Sequence, residues 1–246
     1  MAHKVMLTDE ERHLLIQVDT PTVCNVIELF DVRPRNQGYF DHRIKAVYPD
    51  LPPMVGYATT ATFRSNAPAR SADAYASLEK QVERFAEVPA PYVVVFQDLD
   101  DQAVSATFGE VMCTAYKAFG AAGLITSGAG RDLQQVKALN FPCFTGSTIC
   151  AHGFCHIPDV NIPVRVGGVT IHPGDLLHGD CNGVTTIPVE IASAVARTCG
   201  ELIAAEADVL EYLRSSKATP QGFGEYRRKM VDKFGEISQR IKQGKV

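Results

Sequence analysis

The pair Gly109-Glu110 and the run Leu124-Ile-Thr-Ser-Gly128-Ala-Gly130-Arg131-Asp132 decide how this chain reads. Together they describe a helix opened by Gly109-Glu110, a turn over Gly120 to Gly123, a short apolar strand, and a glycine-rich loop ending on a cation beside a carboxylate. Gly128 and Gly130 allow a ligand or another backbone to approach closely. Arg131 offers a planar fork of donors that suits a carboxylate or phosphate. Asp132 has two readings. It precedes Leu-Gln-Gln-Val-Lys-Ala-Leu, a helical pattern, and so suits an N-cap. It is also a hard oxygen ligand beside an anion clamp, a setting in which Mg2+ keeps several waters and takes one or two carboxylates. The expected ligand is a small anion, with a metal next to it.

Outward from this run, helices and strands alternate. Thr8-Asp-Glu-Glu11 is a capping-box pattern, and Thr20-Pro21 supplies a cap and a first-turn proline before Val23 to Phe30. Val55 to Phe63 and Tyr92-Val-Val-Val-Phe96 read as strands, the latter buried, and Ser71 to Glu87 is helical in period. Asp98, Asp100 and Asp101 fall at a strand exit, where loop solvation accounts for them. Gly167-Gly168 between Val164-Arg-Val166 and Val169-Thr-Ile171 has the spacing of a tight hairpin. Asp175 and Asp180 each follow a glycine in a turn, where a short carboxylate bonds nearby amides. Val184 to Ile187 is a further strand. A helix is expected from Val189 to about Leu213, and another from Thr219, linked through Pro220, Gly222 and Gly224. This mixture predicts an α/β protein, a layered α/β/α-type sandwich with N- and C-terminal helices. Residues 1–213 are expected to form one domain and residues 214–246 a C-terminal helical extension.

Composition narrows the function classes. With 246 residues, 46% hydrophobic and 21% charged, the chain can bury a substantial core. A net charge of −4 gives no general pull toward nucleic acid. No run of 18 apolar residues occurs, and Met1-Ala-His-Lys lacks the order of a signal peptide, so a cytoplasmic protein without membrane partners is expected. The seven cysteines, an odd number spread along the chain, read as reduced and mostly buried thiols.

Gly109-Glu110, Gly120-Ala-Ala-Gly123, Gly128-Ala-Gly130-Arg131-Asp132, Pro173-Gly174-Asp175, Gly179-Asp180, Asn182-Gly183-Val184 and Ile187-Pro188 together resemble the RraA-like family. That family includes class II 4-hydroxy-4-methyl-2-oxoglutarate aldolases and related oxaloacetate decarboxylases. The resemblance spans roughly residues 15 to 195 and implies a swivelling-domain fold. It implies that the amides of Gly109, Glu110, Val111 and Met112 hold the pyruvyl portion of a 2-oxo acid, in keeping with the anion affinity of helix N-termini. It further implies that Arg131 grips the carboxylate and keto region, that Asp132 ligates Mg2+ or Mn2+, and that the chain assembles as a homotrimer or homohexamer. The base is not fixed by it: Glu110, Glu201 and Glu206 are the candidates. The family also contains non-catalytic inhibitors of ribonuclease E, which lack the metal-binding Asp after the Arg; Asp132 favours the enzyme. Ser127 departs from the pattern, since many of the aldolases carry an Asp there.

Other chemistries find less support. Lys80, Lys117 and Lys137 sit among polar neighbours on helical patterns, unlike the desolvated lysine a Schiff-base aldolase needs. Neither Gly-x-Gly-x-x-Gly nor Gly-x-x-x-x-Gly-Lys-Ser/Thr occurs. Cys150-Ala-His152-Gly-Phe-Cys155-His156 has borderline-soft ligands but no distant partner pair for zinc. Cys150 and Cys155 are expected to pack, and His152 and His156 to line a surface or cleft, with His152 a specificity residue if it reaches substrate.

Overall fold

The computed structural model describes residues 6–69, 76–100 and 102–246. In chain order the elements are α1 (Asp9–Ile16), α2 (Thr20–Phe30), β1 (Lys45–Ala46), β2 (Met54–Phe63), α3 (Ala76–Glu83), β3 (Tyr92–Asp98), β4 (Ala106–Phe108), α4 (Glu110–Ala118), β5 (Ala121–Thr126) and β6 (Ala129–Gly130). They continue with α5 (Leu133–Ala138), β7 (Cys143–Thr145), β8 (Ser147–Thr148), β9 (Val164–Val166), β10 (Val169–Ile171), β11 (Leu176–Asp180), β12 (Gly183–Ile187), α6 (Ala192–Arg214) and α7 (Pro220–Lys242). The chain divides into two compact units, residues 36–188 and residues 1–35 with 189–246.

The first unit is built on a seven-stranded sheet in the order β1-β7-β5-β3-β2-β11-β12. Strands β2, β3, β5 and β7 run parallel, and β1, β11 and β12 pair antiparallel at the two sides. A strand covered on both faces reads as a continuous apolar run rather than an alternation, and β3 does so. Its Val94 and Phe96 join Phe63, Leu124, Cys113, Tyr116 and Val136 on one face, the face of α4 and α5. Its Val93 and Val95 join Met54, Ile125, Val164, Val166 and Ile171 on the other, under the β9–β10 hairpin. Each large apolar side chain buried this way contributes about 1.5–3 kcal/mol.

The hairpin expected at Gly167-Gly168 is present, with φ of 55° and 79° at the two glycines, the positive values a tight two-residue turn requires. Asp175 and Asp180 have the turn roles expected of them. Asp175 Oδ2 accepts the His172 N–H at 2.7 Å, and Asp180 Oδ1 accepts the Asn182 N–H at 2.8 Å.

Three details differ from the sequence reading. The turn before β5 is two residues, Phe119 and Gly120, the latter at φ 90°, and Ala121 to Gly123 already belong to β5. The helix expected over residues 71–87 is seen as α3 followed by a 3-10 turn, Arg84–Glu87; residues 71–75 and Asp101 lie outside the described residues. Asp98 and Asp100 are not solvated loop carboxylates. Asp98 is the last residue of β3, and the Asp100 side chain is 2% exposed, its Oδ2 accepting the N–H groups of Ser65 and Asn66 at 2.9 and 3.1 Å.

The second unit is helical. The capping box of α1 forms in both directions, Thr8 Oγ1 accepting the Glu11 N–H at 3.2 Å and Glu11 Oε2 the Thr8 N–H at 3.0 Å. The cap of α2 is Asp19 rather than Thr20: its carboxylate accepts the Thr22 N–H at 2.8 Å, and Thr20 is already helical. Thr219 caps α7 with Pro220 in its first turn, so Gly222 and Gly224 lie inside the helix instead of in a linker. Both α6, which runs through residue 213, and α7 fall in this unit. None of the described helices is long and apolar enough to cross a membrane.

Candidate functional site

A second, small sheet positions the site. Strands β4, β6 and β8 run parallel, and Phe108 pairs with Gly130. The residues that follow this pair, Gly109 and Arg131, are therefore neighbours across two strand ends, and the Arg131 N–H donates to the Phe108 carbonyl at 3.0 Å. Two glycines let the chain segments meet closely at this junction. A Cβ on Gly130 would lie 2.3 Å from the Phe108 ring, and one on Gly109 would lie 2.5 Å from Asp132 Oδ2 and 3.1 Å from Arg131 Nε. Gly109 has an extended backbone, φ −155°, so its constraint is the close approach of Arg131 and Asp132 and not the conformation.

Asp132 is the N-cap residue of α5 by position, with its carbonyl accepting the Val136 N–H at 2.9 Å. Its side chain does not cap that helix. The residue sits in the left-handed region, φ 54° and ψ 39°, uncommon for a residue with a Cβ. Oδ2 turns instead to the tip of α4, accepting the Glu110 N–H at 3.0 Å, with Arg131 Nε 3.7 Å away. The N-cap reading of its carboxylate is thus replaced by a bridge to another helix. This leaves the first-turn amides of Val111 and Met112, which have no intrahelical partner by position, and Gly109 N–H, around the same tip.

Beside that tip is a small cavity whose lining includes Phe108, Gly109, Val111, Met112, Arg131 and His152. Four of the six residues expected to form the site, Gly109, Val111, Met112 and Arg131, share this wall; Asp132 adjoins it through the α4 tip, and the Glu110 side chain is exposed. His152 reaches the cleft, as the sequence allowed. Its Nδ1 lies 2.8 Å from the Gly153 carbonyl, and since a carbonyl only accepts, Nδ1 carries the proton and Nε2 keeps its lone pair in the neutral ring. Cys155 packs at the cavity's inner edge, where burial pushes its thiol up against the opposing pull of Arg131. Cys150 is exposed rather than packed. The other acids considered for proton transfer, Glu201 and Glu206, are on α6 in the helical unit; Glu201 pairs with Arg240, and burial followed by Asp19 pushes Glu206 up.

A divalent cation fits the donor set. Asp132 is a partly exposed carboxylate, its side chain 36% accessible, whose hydrogen bond and ion pair both go to Oδ2, which leaves Oδ1 as the oxygen for one metal bond completed by water. Among the described residues no three His, Cys, Asp or Glu side chains gather into an all-protein cage.

The family model described as RraA-like, Aldolase/RraA, matches residues 20–186. A protein of Halalkalibacterium halodurans provisionally named a 4-hydroxy-4-methyl-2-oxoglutarate aldolase is 42% identical over 100 residues, covering 40% of this chain and 48% of the relative, so the match spans about half of that protein's length. A solved structure of a protein from Pseudomonas syringae superposes with a TM-score of 0.71 at 20% identity, over 93% of this chain and 97% of that one. Streptomyces coelicolor RraAS2, described as an unusual member of the RNase ES inhibitor RraA protein family, superposes with a TM-score of 0.65 at 24% identity, over 82% and 96%. At those identities the two structures speak for the mixed α/β fold. A family match that begins at α2 and runs to the last residues of β12 takes in the whole sheet and every residue of the α4 tip, and the chain belongs to the RraA-like family.

Proposed function

We propose that the protein is a divalent-metal-dependent lyase that cleaves a 4-hydroxy-2-oxo acid by a retro-aldol reaction through a pyruvate enolate, and that it also decarboxylates oxaloacetate. The observation that carries this reading is the convergence of Arg131 and Asp132 on Gly109 at the N-terminus of α4. The relative's name points the same way.

A bound Mg2+ or Mn2+ would supply Lewis-acid polarisation of the 2-keto oxygen, lowering the cost of the enolate. The chain's own residues do the rest. Arg131 binds the substrate carboxylate through two parallel N–H donors. The amides of Val111 and Met112 add neutral donors at the positive end of α4. Asp132, its Oδ2 held by the Glu110 N–H, would hold the metal through its carboxylate. In the retro-aldol step the proton leaves the C4 hydroxyl, the C3–C4 bond breaks, and its electron pair passes into the enolate as C4 becomes a carbonyl. We assign the proton to His152 Nε2, the lone pair left by the Gly153 contact. Oxaloacetate decarboxylation requires no such base, because the bond to the departing carbon dioxide breaks with its electrons staying on C3; in both reactions the enolate then takes a proton at C3 from water to give pyruvate.

The two reactions provide the test. His152→Gln should lower pyruvate release from 4-hydroxy-2-oxo acids by about a hundredfold while leaving oxaloacetate decarboxylation within about threefold, since a general base contributes roughly 10²–10⁴ to the one step and nothing to the other. Equal losses in both reactions would remove His152 from the role. Family membership also supports assembly as a homotrimer or homohexamer, which light scattering on the purified protein measures. Should the metal-supplied protein be inert toward every 4-hydroxy-2-oxo acid and oxaloacetate, yet bind an endoribonuclease, the non-catalytic reading would replace this one.

A further inference from the structure

We propose a second binding site on the unit of residues 36–188, for a small molecule carrying a carboxylate or phosphate, in the cavity walled by Arg43, Arg165, Gln97 and Ser127. The cavity measures about 300 Å3 and shares no wall residue with the one beside Arg131. It lies where three parallel strands end: Gln97 is the penultimate residue of β3, Ser127 follows β5, and Gly146 follows β7. In open α/β sheets the crevice beyond the carboxyl ends of the strands is where ligands bind.

The wall is a set of donors. The Arg43 guanidinium is held by Asp41, its Nε 2.9 Å and its Nη2 2.6 Å from the two carboxylate oxygens, which fixes the fork and leaves Nη1 for another acceptor. Arg165 is exposed, and its guanidinium has no hydrogen-bond or ion-pair partner among the described residues. The Gln97 Oε1 accepts the Arg165 backbone N–H at 2.8 Å, so the carboxamide NH2 is the end left to donate. The Ser127 Oγ accepts the Asp98 N–H at 2.9 Å, so its hydroxyl proton is likewise left. No carboxylate lines the cavity. With serine at 127 in place of an acid, the carboxylate nearest this wall is Asp41, whose charge is paired with Arg43, so Arg165 supplies the uncompensated positive charge.

The wall is also built by close backbone contacts. A Cβ on Gly146 would sit 2.3 Å from the Arg43 carbonyl oxygen, and one on Gly167, at φ 55°, would sit 2.8 Å from Ile44 Cγ1. These two glycines bring the end of β7 and the hairpin turn against the segment that carries Arg43. Two guanidinium groups, one carboxamide and one hydroxyl, facing a cavity of small-ligand size, select an oxyanion.

Titration calorimetry on the full chain with inorganic phosphate and with malonate tests this. Arg131→Ala serves as the background, so that the first site is silent and the result does not depend on the lyase reading. Saturable binding of at least one probe is expected there, weakened about tenfold by Arg165→Gln, the loss of one charge-assisted contact. The probe that saturates identifies the ligand class. In wild-type protein the same Arg165→Gln change should weaken one of two classes of site about tenfold and leave the other unchanged, which keeps the test intact if Arg131→Ala fails to fold. Absence of saturable binding by both probes, or an affinity unchanged by Arg165→Gln, overturns the proposal.

Discussion

Gly109 shows how much of the candidate site rests on one missing methyl group. Its Cα faces Asp132 Oδ2 and Arg131 Nε so closely that a Cβ would lie 2.5 and 3.1 Å from them. Gly109→Ala is therefore expected to displace the Asp132 carboxylate and reduce metal-dependent turnover by about a hundredfold, in the range lost when one placed electrostatic contact is removed. The extended backbone at 109 tolerates a Cβ, so thermal stability should change little beside the activity; comparing kcat with Tm for this variant separates the two effects. Asp98 makes a different point. Burial, reinforced by the Asp100 charge, raises its carboxyl above the ordinary range, and its Oδ2 is buried without a hydrogen-bond partner. The folded state thus holds this proton more tightly than the unfolded chain does. Ionised Asp98 lowers stability, fully so above its folded value and not at all below the ordinary value near ~3.9. Asp98→Asn should raise Tm at pH 7 and leave it unchanged near pH 3, readable by calorimetry at the two pH values.

The same two residues explain what the sequence could and could not show. The Arg131-Asp132 pair and the Gly109 helix start are local patterns, visible as such. That the Asp132 carboxylate bonds the Glu110 amide, 22 residues away, follows from the pairing of Phe108 with Gly130 and is written in no local spacing. Asp98 and Asp100 look like solvated loop acids because nothing near them in sequence reveals the Ser65 and Asn66 amides, 35 and 34 residues distant, that bury Asp100. The cavity around Arg43 and Arg165 was missed for the same reason: its walls come from residues 43, 97, 127 and 165, far apart in the chain.

At the scale of elements, periodic and capping signals were legible where the partner is within a few residues. The capping box of α1, the apolar run of β3 and the glycine turn between β9 and β10 are all of this kind. Helix boundaries were less so. Asp19 outcompetes Thr20 as the α2 cap by starting the helix one residue earlier, and replacing it with Ala should cost about 1 kcal/mol in denaturant unfolding. Glycines in α7 are the clearest misreading, since Gly222 and Gly224 look like linker residues. The structure gives a reason for one of them: a Cβ at Gly222 would lie 1.9 Å from Tyr212 Oη, whereas one at Gly235 meets nothing within 4 Å. Alanine at an open helical glycine gains up to about 1 kcal/mol from propensity, while an overpacked contact typically costs about 1–3 kcal/mol. Gly235→Ala should therefore stabilise the chain and Gly222→Ala destabilise it; urea midpoints of opposite sign would bear this out, and two gains would contradict the placement of Tyr212.

For the whole molecule, the sheet unit supplies every residue of the proposed chemistry, and the helical unit supplies α1, α2, α6 and α7. The C-terminal segment expected to be an extension contributes Ile237, 4% exposed, and a Ser238 hydroxyl bonded to the Leu29 carbonyl at 3.3 Å, so its removal should lower Tm. The central claim is narrower: one guanidinium and the adjacent carboxylate act together on a metal-chelated 2-oxo acid. Its most direct measurement is pyruvate release from a 4-hydroxy-2-oxo acid by chelator-treated protein, with and without added Mg2+ or Mn2+, in wild type and in Asp132→Asn. The account predicts activity that returns with metal in the wild type and stays at least about a hundredfold lower in the variant. Equal activity with and without metal, or an Asp132→Asn protein as active as the wild type, would contradict it.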